Sequence, residues 1–353
     1  MPPSASAITR NHNAKRPVLR RRLASNKNPL GPSKRALAAV AAALPTLHRY
    51  PDGSSFYLTR RLAARHGIAP DHILVGNGSN EILELVVRSF LRPGEEAVMA
   101  DQAFVIYRLI VLAAAGVPRM VPLRHFTHDL EAMAEAVGPR TRIVFLGNPN
   151  NPTGTIFRRA AWEAFLAAMP DHVIVVADDA YAEYVEDPDY PDTIAVRGDG
   201  SVSVVTLRTF SKLYGLAGLR VGYAVAPPAL IEVLGRVRQP FSVNALAQVA
   251  ACAALDDEEH VHRTLATNRE GLAYLTGVFE RLCLEYIPSA ANFVLVRVGE
   301  GARVYEALLR HGVIVRPMDV YGFREHVRVT VGLPDENARF VEALAHVLGG
   351  EGR

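Results

Sequence analysis

The sequence predicts an α/β fold built on a mainly parallel sheet sandwiched by helices, followed by a smaller α+β lobe. Three observations predict it. From about residue 70, short β-branched runs alternate with longer helical patterns. Several of those runs are continuously apolar, which suits strands buried on both faces. After about residue 240 the alternation gives way to segregated helices and strands, the mark of a separate lobe.

Seven runs are candidate strands: HILV (72–75), EAVMA (96–100), RMVPL (119–123), RIVFL (142–146), VIVVAD (173–178), VSVVTLRT (202–209) and RVGYAVA (220–226). Helical spacing fills most gaps between them, as over 80–91 and 159–169. Strand and helix taking turns imply parallel pairing. The last two runs are joined only by FSKLYGLAG, which leaves room for an antiparallel member. Beyond RQPFSVNA come a helical region over about 244–285, then NFVLVRV, a helix, GVIVRPM, VRVTVG and a final helix. The expected division is a flexible basic tail (1–22), an N-terminal arm associated with the small domain (23–47), a large domain (48–240) and a small domain (241–353).

At 353 residues, with 49% hydrophobic and 21% charged content, the chain can bury a sizeable core. A net charge of +3 is too small to argue for nucleic acid. No apolar run reaches the length of a membrane span, and LIVLAAAGV reads as a buried helix. Cys252 and Cys283 lie far apart without ligand spacing, which points to a reduced, cytoplasmic protein with no metal. Nothing acidic precedes Asp52, while NAKRPVLRRR is strongly basic. Pro2, Pro3 and Pro17 break any amphipathic helix there, so a solvated tail is expected rather than a transit peptide.

Lysine is scarce: of 39 basic residues only Lys15, Lys27, Lys34 and Lys212 are lysine. Arginine binds anions better, so a lysine kept in such a chain is suspected of what arginine cannot do. It can lose its proton and form an imine with a carbonyl.

Open α/β sheets bind ligands at the carboxyl ends of their strands. After HILV comes GNGSNE, where Gly78 leads into a helix start with Ser79 and Asn80, suited to a phosphate or to an ordinary N-cap. After RIVFL comes GNPNNPTG, a rigid turn offering the amides of Asn148, Asn150 and Asn151. After VIVVA comes DDAYAEY. Asp178, ending an apolar strand, needs a cation or a shared proton, whereas Asp179, pointing the other way, reads equally as a solvated or capping carboxylate. Tyr181 can present its hydroxyl to the same pocket. After VSVVTLRT come Thr209, Ser211, Lys212 and, farther on, Arg220. An amine, two hydroxyls, an acid and a guanidinium fit a ligand with both a carbonyl and a phosphate, and pyridoxal phosphate is such a ligand.

GNGSNEIL, GNPNNPTG, VVADDAYAEY, RTFSKLYGLAGLRVGY and VRVTVGLPDEN resemble the fold-type-I pyridoxal-phosphate aminotransferases, specifically the histidinol-phosphate aminotransferase family. LASNKNPLGPS, HRYPDG and GVIVRPM extend the resemblance over nearly the whole chain from about residue 23. It implies that Lys212 joins the cofactor's aldehyde and then shuttles the substrate's α-proton. Asp178 would keep the ring nitrogen protonated, with Asn151 and Tyr181 on the phenolic oxygen. Gly78, Ser79, Asn80, Thr209, Ser211 and Arg220 would hold the phosphate, and Phe104 would stack on the ring or else pack in the core. The resemblance also implies that Tyr50 reaches the neighbouring subunit's phosphate in a homodimer. Arg316, Arg328, Asn26 and Asn292 would meet the amino donor and the 2-oxo acid acceptor.

Two positions depart from that family's pattern: Asn26-Lys27-Asn28-Pro29 stands for its usual Asn-Glu-Asn-Pro, a charge reversal, and Asp178-Asp179 for its Asp-Glu. HFTH (His125, His128) and HVH (His260, His262) lack ligand spacing and read as solvated histidines. Transamination of histidinol phosphate with 2-oxoglutarate is the expected activity. An aromatic or broad-specificity aminotransferase and a phosphothreonine decarboxylase stand as alternatives. An effector-binding module of a transcription regulator predicts an appended DNA-binding domain, for which residues 1–22 are too short and too proline-rich.

Overall fold

The computed structural model describes residues 21–195 and 202–349. Most of the basic tail read over 1–22 therefore lies outside the described residues. Its last two residues are not a tail: they form strand β1 (Arg21–Arg22), paired in parallel with Val313–Ile314. Leu23 follows them into a fully buried place beside Val313, Val315 and Phe340, which ties the chain there.

The large sheet comprises β2 (Ile73–Gly76), β3 (Glu96–Ala100), β4 (Val117–Val121), β5 (Thr141–Gly147), β6 (Ile174–Asp178), β7 (Ser203–Thr209) and β8 (Gly222–Val225), in the order β2-β8-β7-β6-β5-β3-β4. All seven expected strands are present. The run expected at 119–123 starts two residues earlier and includes Pro118, which an edge strand tolerates because it has no N–H to pair on its open side. Strands β3 to β7 pair in parallel, and β8 is antiparallel to both β7 and β2. The short FSKLYGLAG link permits only that reversal.

Period-two alternation separates the two faces. Val98, Val144, Val175 and Val204 point into one apolar layer with Trp162 and Phe165, while Met99, Phe145, Val176 and Val205 point into the other with Ile82 and Val86. The LIVLAAAGV run is not wholly buried as expected. Helix Ile106–Ala113 buries Tyr107 and Val111 and leaves Leu112 42% exposed, because it lies on the sheet with one face to solvent.

The helical region over 244–285 is two helices, Ala245–Leu255 and Glu258–Arg281, the second capped by Asp257, which accepts from the His260 N–H. Next come β9 (Tyr286–Ile287), β10 (Phe293–Arg297), helix Gly301–Arg310, β11 (Val313–Ile314), β12 (Arg316–Pro317), β13 (His326–Thr330) and helix Pro334–Gly349. Strands β12-β13-β10-β9 make an antiparallel sheet. GVIVRPM is thus split, its first half serving β1 and its second half β13. Ala36 of helix Lys34–Ala43 and Ala247, Ala250 and Ala251 of helix Ala245–Leu255 share one apolar cluster with Val75 and Tyr223 of the large sheet. The arm is therefore divided, with Leu23 in the C-terminal core and Ala36 against the large sheet.

Candidate active site

Parallel strands deliver their carboxyl ends to one edge, and the register pairs Gly147 of β5 with Asp178 of β6. A cleft of about 270 Å³ opens there. Ten of the residues singled out in the sequence line it: Ser79, Asn80, Phe104, Asn151, Asp178, Tyr181, Thr209, Ser211, Lys212 and Arg220.

At one end of the cleft, helix Ser79–Phe90 begins after Gly78 with no side chain capping it. Its first N–H groups and positive dipole end suit an anion. Arg220, held at φ 58°, donates from Nη1 to the Ala217 carbonyl (3.1 Å) and to Ser211 Oγ (3.4 Å). Thr209 Oγ1 accepts from the Ser211 N–H at 3.1 Å, which fixes both hydroxyl-bearing residues in one turn. Gly78 has φ +77°, and a Cβ there would sit 2.6 Å from Arg220 Nη2. Glycine is what lets the guanidinium and the helix start approach.

Across the cleft, Asp178 is buried, and its Oδ2 accepts from the Tyr107 hydroxyl at 2.8 Å. Its Oδ1 is buried without a partner, a costly arrangement unless a donor joins it. Burial raises the Asp178 pKa, opposed by the Tyr107 hydrogen bond, the Ala180 N–H and the Lys212 charge. Lys212 Nζ lies 5.2 Å from the centre of the Tyr181 ring, and among the described residues it has no hydrogen-bond or ion-pair partner. Phe104 meets Tyr107 edge-on at 5.7 Å, which sets its ring at the cleft wall.

The remaining polar residues form a chain leading away from the cleft. Tyr181 Oη accepts from Asn26 Nδ2 at 2.9 Å, so its own hydrogen stays free. Asn151 Oδ1 accepts from Arg328 Nη1, which leaves the Asn151 N–H groups free. Arg328 also donates to the Ala24 carbonyl at 3.0 Å and stacks over Phe293, with its centre 5.1 Å from that ring. Its Nε has no partner, and among the described residues no carboxylate faces it. Burial lowers the Arg328 pKa, and Arg316 beside it adds to that. Arg316 is its register partner across β12 and β13, so two cations share a face. Asn292 donates to the Asn26 carbonyl at 3.0 Å. Of the expected substrate residues, Asn26 and Arg328 each stand one hydrogen bond from the cleft lining, with Asn292 behind Asn26.

Tyr50 does not line this cleft. It is 83% exposed, stacks on Phe241 at 4.9 Å, and lines a second cleft of about 640 Å³ with Arg49, Tyr57 and Arg61. Asp179 is not solvated as the sequence allowed. It is fully buried, takes the Thr193 hydroxyl at 2.6 Å and lies 3.2 Å from Arg208. His128 is also buried, edge-on to Phe157, and burial lowers its pKa to about 4; His125 stays exposed. Sequence reasoning missed Tyr107 and Ser25. Tyr107 stands in the first turn of the helix Ile106–Ala113, three residues after Phe104, and its closeness in sequence to Phe104 was the signal available for it.

Residues 21–344 match the family described as Aminotransferase class I and II. Histidinol-phosphate aminotransferase 2 of Pseudomonas fluorescens is 49% identical over 328 residues, 93% of this chain and 88% of that one. Histidinol-phosphate aminotransferase of Moorella thermoacetica is 48% identical, again over 93% of this chain and over 85% of its own. The crystal structure of the Sinorhizobium meliloti histidinol-phosphate aminotransferase in complex with pyridoxal-5'-phosphate superposes with a TM-score of 0.87 at 27% identity, covering 94% of this chain and 91% of that chain. Agreement of this extent in sequence and backbone means that the chain belongs to the class I and II aminotransferases and, within them, to the histidinol-phosphate aminotransferase family.

Proposed function

We propose that the protein is a pyridoxal-phosphate-dependent aminotransferase that converts L-histidinol phosphate and 2-oxoglutarate to imidazole acetol phosphate and L-glutamate, in histidine biosynthesis. The observation that carries the reading is a pair: the Lys212 amine without a hydrogen-bond or ion-pair partner among the described residues, and the buried, unpartnered Asp178 Oδ1, on the walls of one cleft. The donor set fits pyridoxal phosphate, which when bound supplies a carbonyl that bonds amines and a ring that takes up electrons.

This chain's residues do the rest. Lys212 would hold the cofactor through its amine, and its Nζ would take the proton from the substrate's α-carbon. Asp178 Oδ1 holds the ring nitrogen's proton, while Tyr107 fixes the other oxygen. The O–H of Tyr181 and the N–H of Asn151, both on the cleft lining, are two donors suited to the phenolic oxygen. Gly78, Ser79, Asn80, Thr209, Ser211 and Arg220 would hold the phosphate, and Phe104, at the cleft wall, would pack on the ring. Arg328 and Arg316 take the substrate's carboxylate or phosphate, and Asn26 and Asn292 position that end. A buried guanidinium without an acid is stabilised by an anionic ligand, which favours this role for Arg328.

Gly78→Ala is expected to weaken cofactor retention tenfold or more, since a Cβ at positive φ and against Arg220 costs about 1–3 kcal/mol. Absorbance titration of the cofactor-free variant with pyridoxal phosphate reads this. The function itself is tested by a panel of histidinol phosphate, phenylalanine, tyrosine and phosphothreonine, with 2-oxoglutarate present. Histidinol phosphate is expected to give the highest kcat/KM. A wide preference for an aromatic acid, or release of carbon dioxide from phosphothreonine, overturns the assignment.

The reading includes a cytoplasmic homodimer with shared sites. Support comes from Leu37, Leu44, Leu47, Tyr50, Phe56, Tyr57 and Phe241, large apolar or aromatic side chains that are all at least 46% exposed. Tyr50 among them does not line the cleft of its own chain, which is consistent with its reaching a partner's phosphate. No helix among the described residues is long and apolar enough to cross a membrane. The lobes proposed are 48–240 and 241–353, with helix Ala245–Leu255 packed on the first and the 23–47 arm shared between the two.

A further inference from the structure

Behind the cleft, on the far side of the β6 end, lies a second set of buried polar groups that the transamination reading does not use. Arg208, on β7, faces two carboxylates: Asp179 Oδ2 at 3.2 Å and Glu183 Oε1 at 3.7 Å. Arg208 is the cation in contact with both acids, Arg65 acts on Glu183 as well, and burial raises the pKa of each acid, which favours a proton on one of them.

Hydrogen-bond counting assigns it. Asp179 Oδ2 is taken by Arg208 and by the Thr193 hydroxyl at 2.6 Å. Asp179 Oδ1 lies 3.3 Å from Tyr190 Oη, and the same phenol donates to the Asn148 carbonyl. A phenol has one hydrogen, and the shorter of the two contacts, to Asn148, takes most of it. Burial pushes the Tyr190 pKa well up, so the phenol keeps its hydrogen, which Asn148 receives. That leaves the phenol oxygen's lone pairs beside Asp179 Oδ1 at 3.3 Å, a contact that a protonated Asp179 turns into a hydrogen bond.

We infer that Asp179 is a positioning residue that carries a proton on Oδ1 at neutral pH, donates it to Tyr190, and through Tyr190 holds the Asn148 carbonyl and the 148–151 turn beside the cleft. Asn148 also donates its N–H to the Asp178 carbonyl at 3.1 Å, so the clamp joins the strand end bearing Asp178 to the turn bearing Asn151. Burial supports the protonated form by raising the Asp179 pKa to about 7, against the pull of Arg208 and Thr193; neighbouring Asp178 and Glu183 raise it further. Arg65 is the other charge acting on Glu183. The link to Asn151 rests on the cleft being the cofactor site, whereas the protonation does not.

Asp179→Asn supplies the same donor at every pH, and Asp179→Ala supplies none. In the holoenzyme, Asp179→Asn is expected to keep turnover within about threefold of wild type at neutral pH and to lose the decline that wild type shows as pH rises above about 7. Asp179→Ala and Tyr190→Phe are each expected to lose tenfold or more in kcat/KM, and no more when combined. Two further measurements do not depend on turnover. Wild type is expected to show an infrared band of a protonated carboxyl at neutral pH that Asp179→Asn lacks. Because the folded pKa is raised from 3.8 to about 7, wild type should also lose thermal stability relative to Asp179→Asn as pH rises across that window. An Asp179→Asn variant as impaired as Asp179→Ala, or a wild type without the infrared band, overturns the proposal. Failure of the substrate panel with the band present sinks the transamination reading and leaves the protonation standing.

Discussion

Lys212→Arg is expected to abolish transamination, a fall of roughly 10⁴-fold or more in kcat, and to remove the visible absorbance that bound cofactor gives the wild-type protein. The substitution keeps the positive charge and nearly the length of the side chain. What it removes is a group able to shed its proton, bond a carbonyl and later take up a proton. Among the described residues Lys212 makes no hydrogen bond or ion pair, only the distant contact with the Tyr181 ring, so folding has little to lose. The variant should melt within a few degrees of wild type, which separates lost chemistry from lost structure. Absorbance spectra and glutamate formation from histidinol phosphate and 2-oxoglutarate decide it. Turnover within tenfold of wild type would remove Lys212 from the reaction.

Asp178→Asn is expected to cost roughly 10²- to 10³-fold in kcat, since removing the carboxylate from a buried charge pair costs about 3–5 kcal/mol. The side chain keeps its size and can still meet the Tyr107 hydroxyl, so the loss reports the missing charge opposite the ring nitrogen. Asparagine cannot stabilise a proton there, and the ring then takes up electrons less readily. A second readout concerns the cofactor-free protein. Burial raises the folded Asp178 pKa, so its contribution to stability is full below the ordinary carboxylate range and lost as pH rises through the raised value. Asp178→Asn escapes that loss, and its melting temperature should gain on wild type as pH rises. Unchanged kcat in this variant would place the ring's partner elsewhere.

The site's chemistry was legible where a local pattern violates a local rule. An acid closing the apolar run VIVVAD, one of only four lysines in an arginine-rich chain, and glycines leading into a helix start each stand out without knowledge of what lies opposite. Short, β-branched, continuously apolar runs likewise separated strands from helices, because strands buried on both faces need apolar side chains in both directions. The short FSKLYGLAG link left room for an antiparallel member, and β8 is that member.

Other features depend on which distant residues meet. Asp179 looked ordinary beside Asp178, and only the arrival of Arg208, Thr193 and Tyr190 from later segments makes it a buried, protonated acid by our reading. Arg328 reaches Asn151 across 177 positions of sequence, and Asn26 reaches Tyr181 across 155. The GVIVRPM run reads as one strand, yet its halves pair with different partners because β1 and β13 compete for it. By itself the sequence determined the strand set, the parallel layering and the reactive groups at the sheet edge, since these follow from repeat, polarity and functional-group chemistry within a few residues. Tertiary structure decided which charges lose their water and which donors are left free, because burial and hydrogen-bond completion are properties of groups brought together from remote parts of the chain.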